Sequence, residues 1–159
     1  MPGHAEIALL HAEALGENER SEEARKIIEG MLAAGIPDAT LTQRASRQLA
    51  RIALAERPPR SEEALTLLKG AARGGGVLAG EMCVEMFHVA VAVGRRADAE
   101  ESLELLSQTG DVGAIISGAI LARSPAMWAY ARTLAEMARG HVVGTSAESQ
   151  LDGFLATLP

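Results

Sequence analysis

The chain has 159 residues, of which 48% are hydrophobic, and a formal net charge of −6. This length fits one domain that buries a sizeable core. The acidic balance and the 3% aromatic content argue against a nucleic-acid partner, which calls for a basic face and stacking rings. No apolar run reaches the roughly 18 residues of a membrane span, and the N-terminus lacks the pattern of a secretory signal. With Cys83 as the single cysteine, we expect a reducing, cytoplasmic location and no membrane insertion.

One phrase occurs three times, and each copy predicts the start of a helix. It reads RSEEARKIIEG at 20–30 and RSEEALTLLKG at 60–70, and a diverged copy, DAEESLELLSQ, covers 98–108. The first two copies share six of eleven residues at an offset of 40, and the third follows 38 later. Ser21, Ser61 and Asp98 are the expected N-caps, with acidic residues after them at the positive end of the helix dipole.

A second helical segment precedes each copy, which predicts a stack of helical hairpins. Short polar loops make the two helices of a pair antiparallel. We therefore expect one all-α domain over 1–159, with repeat units at about 4–36, 39–75 and 78–110. The remainder, 111–159, reads as a diverged fourth unit and a capping helix, with helices at 111–121, 125–139 and 146–158.

Small and apolar residues recur at matching positions of the hairpins: Ala12, Ala24, Ile28 and Pro37 in the first unit; Ala50, Ala64 and Leu68 in the second; and Ala90 and Ser102 in the third. In these residues the hairpins resemble tetratricopeptide-like (TPR-like) repeats. The second unit matches provided that Pro58-Pro59 is a two-residue insertion in its loop. The periods of 40 and 38 exceed the family's 34. The resemblance implies a right-handed α-solenoid whose first helices line a groove for a protein segment.

The groove positions implied by this alignment are Glu6, Leu9 and Glu13; Arg44, Arg47 and Arg51; and Val84, Phe87 and Val91. The spacing alone places the three arginines on one helix face. Because a guanidinium binds carboxylates through a planar fork, we expect an acidic segment or a C-terminal carboxylate as the ligand. Alternatively, the arginines form a solvated face paired with Glu56, Glu62 or Glu63, and the three apolar residues are core under the C-terminal helices.

No catalytic motif occurs, and we predict neither an enzyme nor a cofactor. The histidines, His4, His11, His88 and His141, lack zinc-ligand spacing, and Cys83 fits a buried, inert thiol. The predicted function is protein–protein interaction, as an adaptor, chaperone or assembly factor. Three-repeat bacterial secretion chaperones are similar to this chain in size and acidity. One alternative is an oligomerisation or regulatory module that forms a homodimer, and another is an enzyme with an unrecognised site in a helical bundle.

Overall fold

A computed structural model of the chain describes residues 2–122 and 124–159, with side chains from residue 4 onward. All regular structure in these ranges is helical, which confirms the predicted class. The helices are α1 (Pro2–Glu17), α2 (Ser21–Ala34), α3 (Ala39–Ala55), α4 (Ser61–Arg73), α5 (Ala79–Ala92), α6 (Arg96–Thr109), α7 (Val112–Leu121), α8 (Trp128–Val142) and α9 (Ser146–Ala156), with a 3₁₀ turn at Pro125–Met127. Among the described helices, none combines the length and the hydropathy that crossing a bilayer requires.

Helices adjacent in sequence pack against each other along the chain. The pairs α1–α2, α3–α4 and α5–α6 form hairpins, and α4 also packs on α5. The first helices of neighbouring hairpins come together as well, α1 with α3 and α5 with α7. One side of the molecule is therefore built from first helices, the helices that carry the predicted groove residues.

The same backbone hydrogen bond closes the loop of each of the three hairpins. The Arg20 amide donates to the Leu15 carbonyl at 2.9 Å, and the Arg95 amide donates to the Ala90 carbonyl at 2.8 Å. In the second hairpin the Arg60 amide donates to Ala53 at 2.9 Å, seven residues back instead of five. The two additional residues fit the expected insertion at Pro58-Pro59. Arg20, Arg60 and Arg95 are thus equivalent positions, 40 and 35 residues apart.

The predicted helix caps are wrong in all three copies of the phrase. The N-caps are Arg20, Arg60 and Arg95, and none of them makes a side-chain capping bond. The loop-closing bond fixes the arginine at the boundary, so the serines become the first helical residues. In α6, Asp98 therefore lies inside the first turn rather than at the cap. Each arginine pairs instead with the acid three residues ahead: Arg20 with Glu23, Arg60 with Glu63 and Arg95 with Asp98, at 2.6, 3.1 and 2.8 Å.

The buried side chains form two clusters that meet along α3. Ala45, Leu49 and Ile52 belong to the smaller cluster, with residues of α1 and α2. Ala50 and Ala53 belong to the larger cluster, which continues to the C-terminal helices. There the C-terminal helices cover α5, since the rings of Phe87 and Tyr130 pack edge to face with centroids 5.1 Å apart.

Candidate binding face of the first helices

All three predicted groove arginines form ion pairs with glutamates of the neighbouring first helices. Arg44 Nη2 lies 3.0 Å from both carboxylate oxygens of Glu13 on α1. On the other side of α3, Arg47 donates to Glu85 Oε1 at 2.7 Å and to Glu81 Oε2 at 2.8 Å. Arg51 shares Glu85 at 2.8 Å. The arginine face therefore joins α1, α3 and α5.

The three arginines do not pair with the glutamates predicted as their alternative partners, so that prediction is wrong. Glu56 and Glu63 bind Arg25 and Arg60, and Glu62 binds Arg95. All of these residues belong to the second helices or to the loops before them. Because glutamates on α1 and α5 are the nearer carboxylates, the arginines of α3 pair across the first helices instead.

Arg47 is the most central of these cations and is held firmly in its charged form. Burial by itself would lower the pKa of its guanidinium. Hydrogen bonds and charge attraction from Glu85 and Glu81 outweigh that effect, so the pKa lies above its ordinary value. The side chain is 25% exposed, so Arg47 keeps some contact with solvent.

The apolar groove candidates are largely covered. Leu9 and Phe87 are 0% and 1% exposed and belong to the core rather than to an open groove. Val84 is buried, Val91 is half-buried and Glu6 is exposed. The structure therefore brings Glu13 together with Arg44, but it does not gather all nine candidates on one accessible surface.

An open cleft of about 460 Å³ lies where α3, α5 and α7 meet, and we call it the central cleft. Its lining residues are Arg47, Glu81, Val84, Glu85, Asp111, Gly113, Ala114, Ser117 and Leu121. Close approach of α5 to α7 forms its inner end, since a Cβ on Gly80 would lie 2.6 Å from Asp111 Oδ2 and 2.8 Å from the Ala114 Cβ. Asp111 is held in place as the N-cap of α7, where its Oδ1 accepts from the Ala114 amide at 2.9 Å.

The α7 side of this cleft was missed by sequence reasoning. Asp111 was recognised only as a helix start, and Ser117 and Leu121 were assigned to a diverged unit. One sequence signal was present: Gly80 lies near the start of α5, and a glycine inside a helix can mark a place where another chain segment comes close. Glycine alone does not identify that segment.

A second charged cluster lies among the second helices, and its centre is buried. Arg25 is 6% exposed. Its guanidinium binds Glu63 at 2.6 Å and Glu56 at 2.9 Å, and it reaches Glu29 at 3.3 Å. These contacts join α2, the end of α3 and α4, so the cluster is a structural junction.

The remaining histidines and the cysteine lie apart from the charged clusters described above, except that His88 is close to Glu85. In residues 2–122 and 124–159, no group of three or more His, Cys, Asp or Glu side chains is arranged to hold a metal ion. Burial raises the pKa of the Cys83 thiol to about 11. Burial also lowers the pKa of His88, although the charge of Glu85 opposes this effect.

Comparison of the chain with family models, with curated proteins and with solved structures finds no match in any of the three. The tetratricopeptide-like resemblance therefore stays a resemblance based on hairpin residues.

Proposed function

We propose that the chain binds a segment of another protein in the central cleft. The observation that carries this proposal is an open cleft on the first-helix side that combines an apolar floor with a fixed, charged rim. Ligand sites in proteins commonly have this composition, because apolar walls supply affinity and a few polar groups supply orientation. As an interaction module, the chain would serve as an adaptor, chaperone or assembly factor.

The apolar part of the proposed site comes from α5 and α7. Val84 and Ala114 form the floor, and Leu121 stands at the edge with 59% of its surface exposed. Ile120, beside it, is 57% exposed. A ligand side chain that covers these residues gains about 25 cal/mol for each Å² of apolar surface removed from water.

The charged rim favours a basic group on the ligand. It carries the carboxylates of Glu81, Glu85 and Asp111 against the guanidinium of Arg47. Half-exposed ion pairs are worth only about 0–1 kcal/mol, so a ligand charge can replace one partner at little cost. An acidic segment would compete with Glu81 for Arg47, whereas a basic segment would bind Glu81 and Asp111 directly. The acidic ligand expected from the arginines alone stays a prediction that the same experiment tests.

The test is capture of proteins from native cell extract by the immobilised chain, identified by mass spectrometry. Leu121→Glu places a charge at the edge of the cleft and should abolish capture of the specific partner. Val143→Glu is the matched control, because Val143 is 69% exposed and lies outside the cleft lining. Capture that is equal for both variants would remove the central cleft from the proposal.

A charge reversal then identifies the sign of the ligand. Glu81→Lys should weaken capture of a basic segment and strengthen capture of an acidic one. Glu81 suits this purpose better than Arg47, because Arg47→Glu would leave Glu81 and Glu85 repelling a third carboxylate and would disturb the junction of α3 with α5.

A further inference from the structure

Helix α1 exposes a face that the equivalent helices α3 and α5 bury. The loop-closing carbonyls of Leu15, Ala53 and Ala90 align these three helices residue by residue. One set of equivalent residues lies eight positions before the loop-closing carbonyl of each hairpin: Ile7, Ala45 and Met82. Ala45 and Met82 are both 0% exposed, whereas Ile7 is 68% exposed.

The next turns of the helices repeat this difference. His11 is exposed, although its equivalents Leu49 and Met86 are 3% and 0% exposed. Ala14 is also exposed, and its equivalent in α3, Ile52, is 4% exposed. In α3 these positions pack with α1 and α2, the preceding hairpin. The same positions on α1 therefore have the pattern of a surface that receives another helix.

We propose that the α1 face, formed by Ile7, Leu10, His11 and Ala14, pairs with the same face of a second copy of this chain. Leu10 widens the apolar surface and is 51% exposed. Two copies related by a two-fold axis bury Ile7 and Leu10 on both sides, as an isologous interface does. Within one chain, both residues keep more than half of their surface in solvent.

Helix α9, the last helix of the chain, does not offer a matching surface. Its apolar residues Leu151, Phe154 and Leu155 are buried or half-buried, and it exposes polar or small ones: Ser149, Gln150, Asp152 and Gly153. A head-to-tail stack would press Ile7 and Leu10 against this polar face, whereas a pair joined through α1 on both sides matches apolar surface to apolar surface.

Polar side chains along the edges of the α1 face favour a parallel pair, in which a carboxylate can accept a hydrogen bond from an imidazole N–H. At 100° per residue, Glu6 lies along one edge, and His4 and His11 lie along the other. In a parallel pair the acidic edge of each helix faces the histidine edge of the other, which places Glu6 beside His11 of the second copy. In an antiparallel pair, edges of the same kind meet.

Sedimentation equilibrium over a range of protein concentrations tests the proposal. The wild-type mass should rise towards twice the 16.6 kDa of one chain. Ile7→Glu should stay monomeric with unchanged helicity, since the side chain is exposed in the single chain. Val143→Glu is the control, and it should dimerise like the wild type. Val143 is 69% exposed and lies between α8 and α9, which pack mainly on α7 and on each other. A wild-type chain that is monomeric at every concentration, or a dimer that survives Ile7→Glu, would overturn the proposal.

Disulfide trapping tests the orientation. In a parallel pair, Ile7→Cys and Leu10→Cys should each cross-link to their own counterpart on oxidation, while the native Cys83 is 1% exposed and stays unreactive. If Ile7→Cys instead cross-links only when mixed with Ala14→Cys, the helices run antiparallel and the parallel arrangement is wrong.

Discussion

Arginine joins the helices of this chain at two kinds of position, and burial decides what each ion pair contributes. Arg44, Arg47 and Arg51 lie on a partly solvated face, where an ion pair is worth about 1 kcal/mol or less. The Arg25 side chain is 8% exposed and is shared by carboxylates from three helical segments. Removing one partner of a buried ion pair costs more, because the remaining charges lose their compensation.

We predict that Arg25→Ala lowers the free energy of unfolding by about 2 kcal/mol. This is less than the roughly 3–5 kcal/mol for a fully buried pair, because Glu56 and Glu63 keep some contact with water. Arg25→Lys should recover little of this loss, since a single ammonium cannot bind both carboxylates as the guanidinium fork does. Urea denaturation measures both changes. The control, Arg96→Ala, removes an ion pair whose arginine side chain is 82% exposed and should leave the free energy of unfolding close to that of the wild type. Equal effects of Arg25→Ala and Arg96→Ala would contradict a structural role for the Arg25 junction.

The sequence predicted which arginines share a helix face but not what they bind. Helical spacing alone places Arg44, Arg47 and Arg51 on one face of α3. Their partners Glu13, Glu81 and Glu85 depend on how α1, α3 and α5 are displaced along one another, and no local pattern encodes that displacement. Arg25 was overlooked for the same reason, because an arginine on a charged helix resembles a solvated residue until the neighbouring hairpin is in place.

At the scale of elements, the loop before each second helix fixes the register of the repeat. In the first and third hairpins the residue before the N-cap arginine has a positive φ, 61° at Glu19 and 74° at Gly94. Hairpin pairs and helix positions were predictable from periodicity and stop signals. The start of the third copy was not, because matching its glutamates placed Asp98 at the cap, three residues beyond the N-cap Arg95. An arginine followed three residues later by an acid is the signal that all three copies share.

Substitutions at these two loop positions should change the free energy of unfolding in opposite directions. Glu19→Gly should raise the free energy of unfolding by about 0.5 kcal/mol, because glycine adopts the left-handed region without the steric cost that a side chain carries there. Gly94→Ala should lower it by about 1 kcal/mol for the same reason. A Cβ at Gly94 would meet nothing within 4 Å, so the loss would come from the backbone conformation alone. Urea denaturation of the two variants checks the signs, and changes in the same direction would contradict the equivalence of the loops.

At the scale of the whole molecule, the two core clusters divide the chain unequally. The smaller cluster holds α1 and α2 onto one side of α3, while the larger one extends from α3 to α9. Helix α5 is covered on several sides, whereas α1 leaves Ile7 and Leu10 in solvent. In a stack of repeats, each unit is stabilised mainly by its neighbours, so a hairpin with one neighbour opens more easily than a hairpin with two.

Native-state hydrogen exchange should therefore show the first hairpin opening before the rest of the chain. Amides of α1 and α2 are expected to exchange through openings about 1–3 kcal/mol below the free energy that protects α4 and α5. If the α1 face pairs with a second copy, protection of α1 and α2 should also rise with protein concentration, because binding stabilises only the folded hairpin. Ile7→Glu should remove this dependence on concentration and leave α4 and α5 unchanged. Uniform protection across the helices would contradict the division into two cores, since it would mean that α1 and α2 unfold only together with the larger cluster.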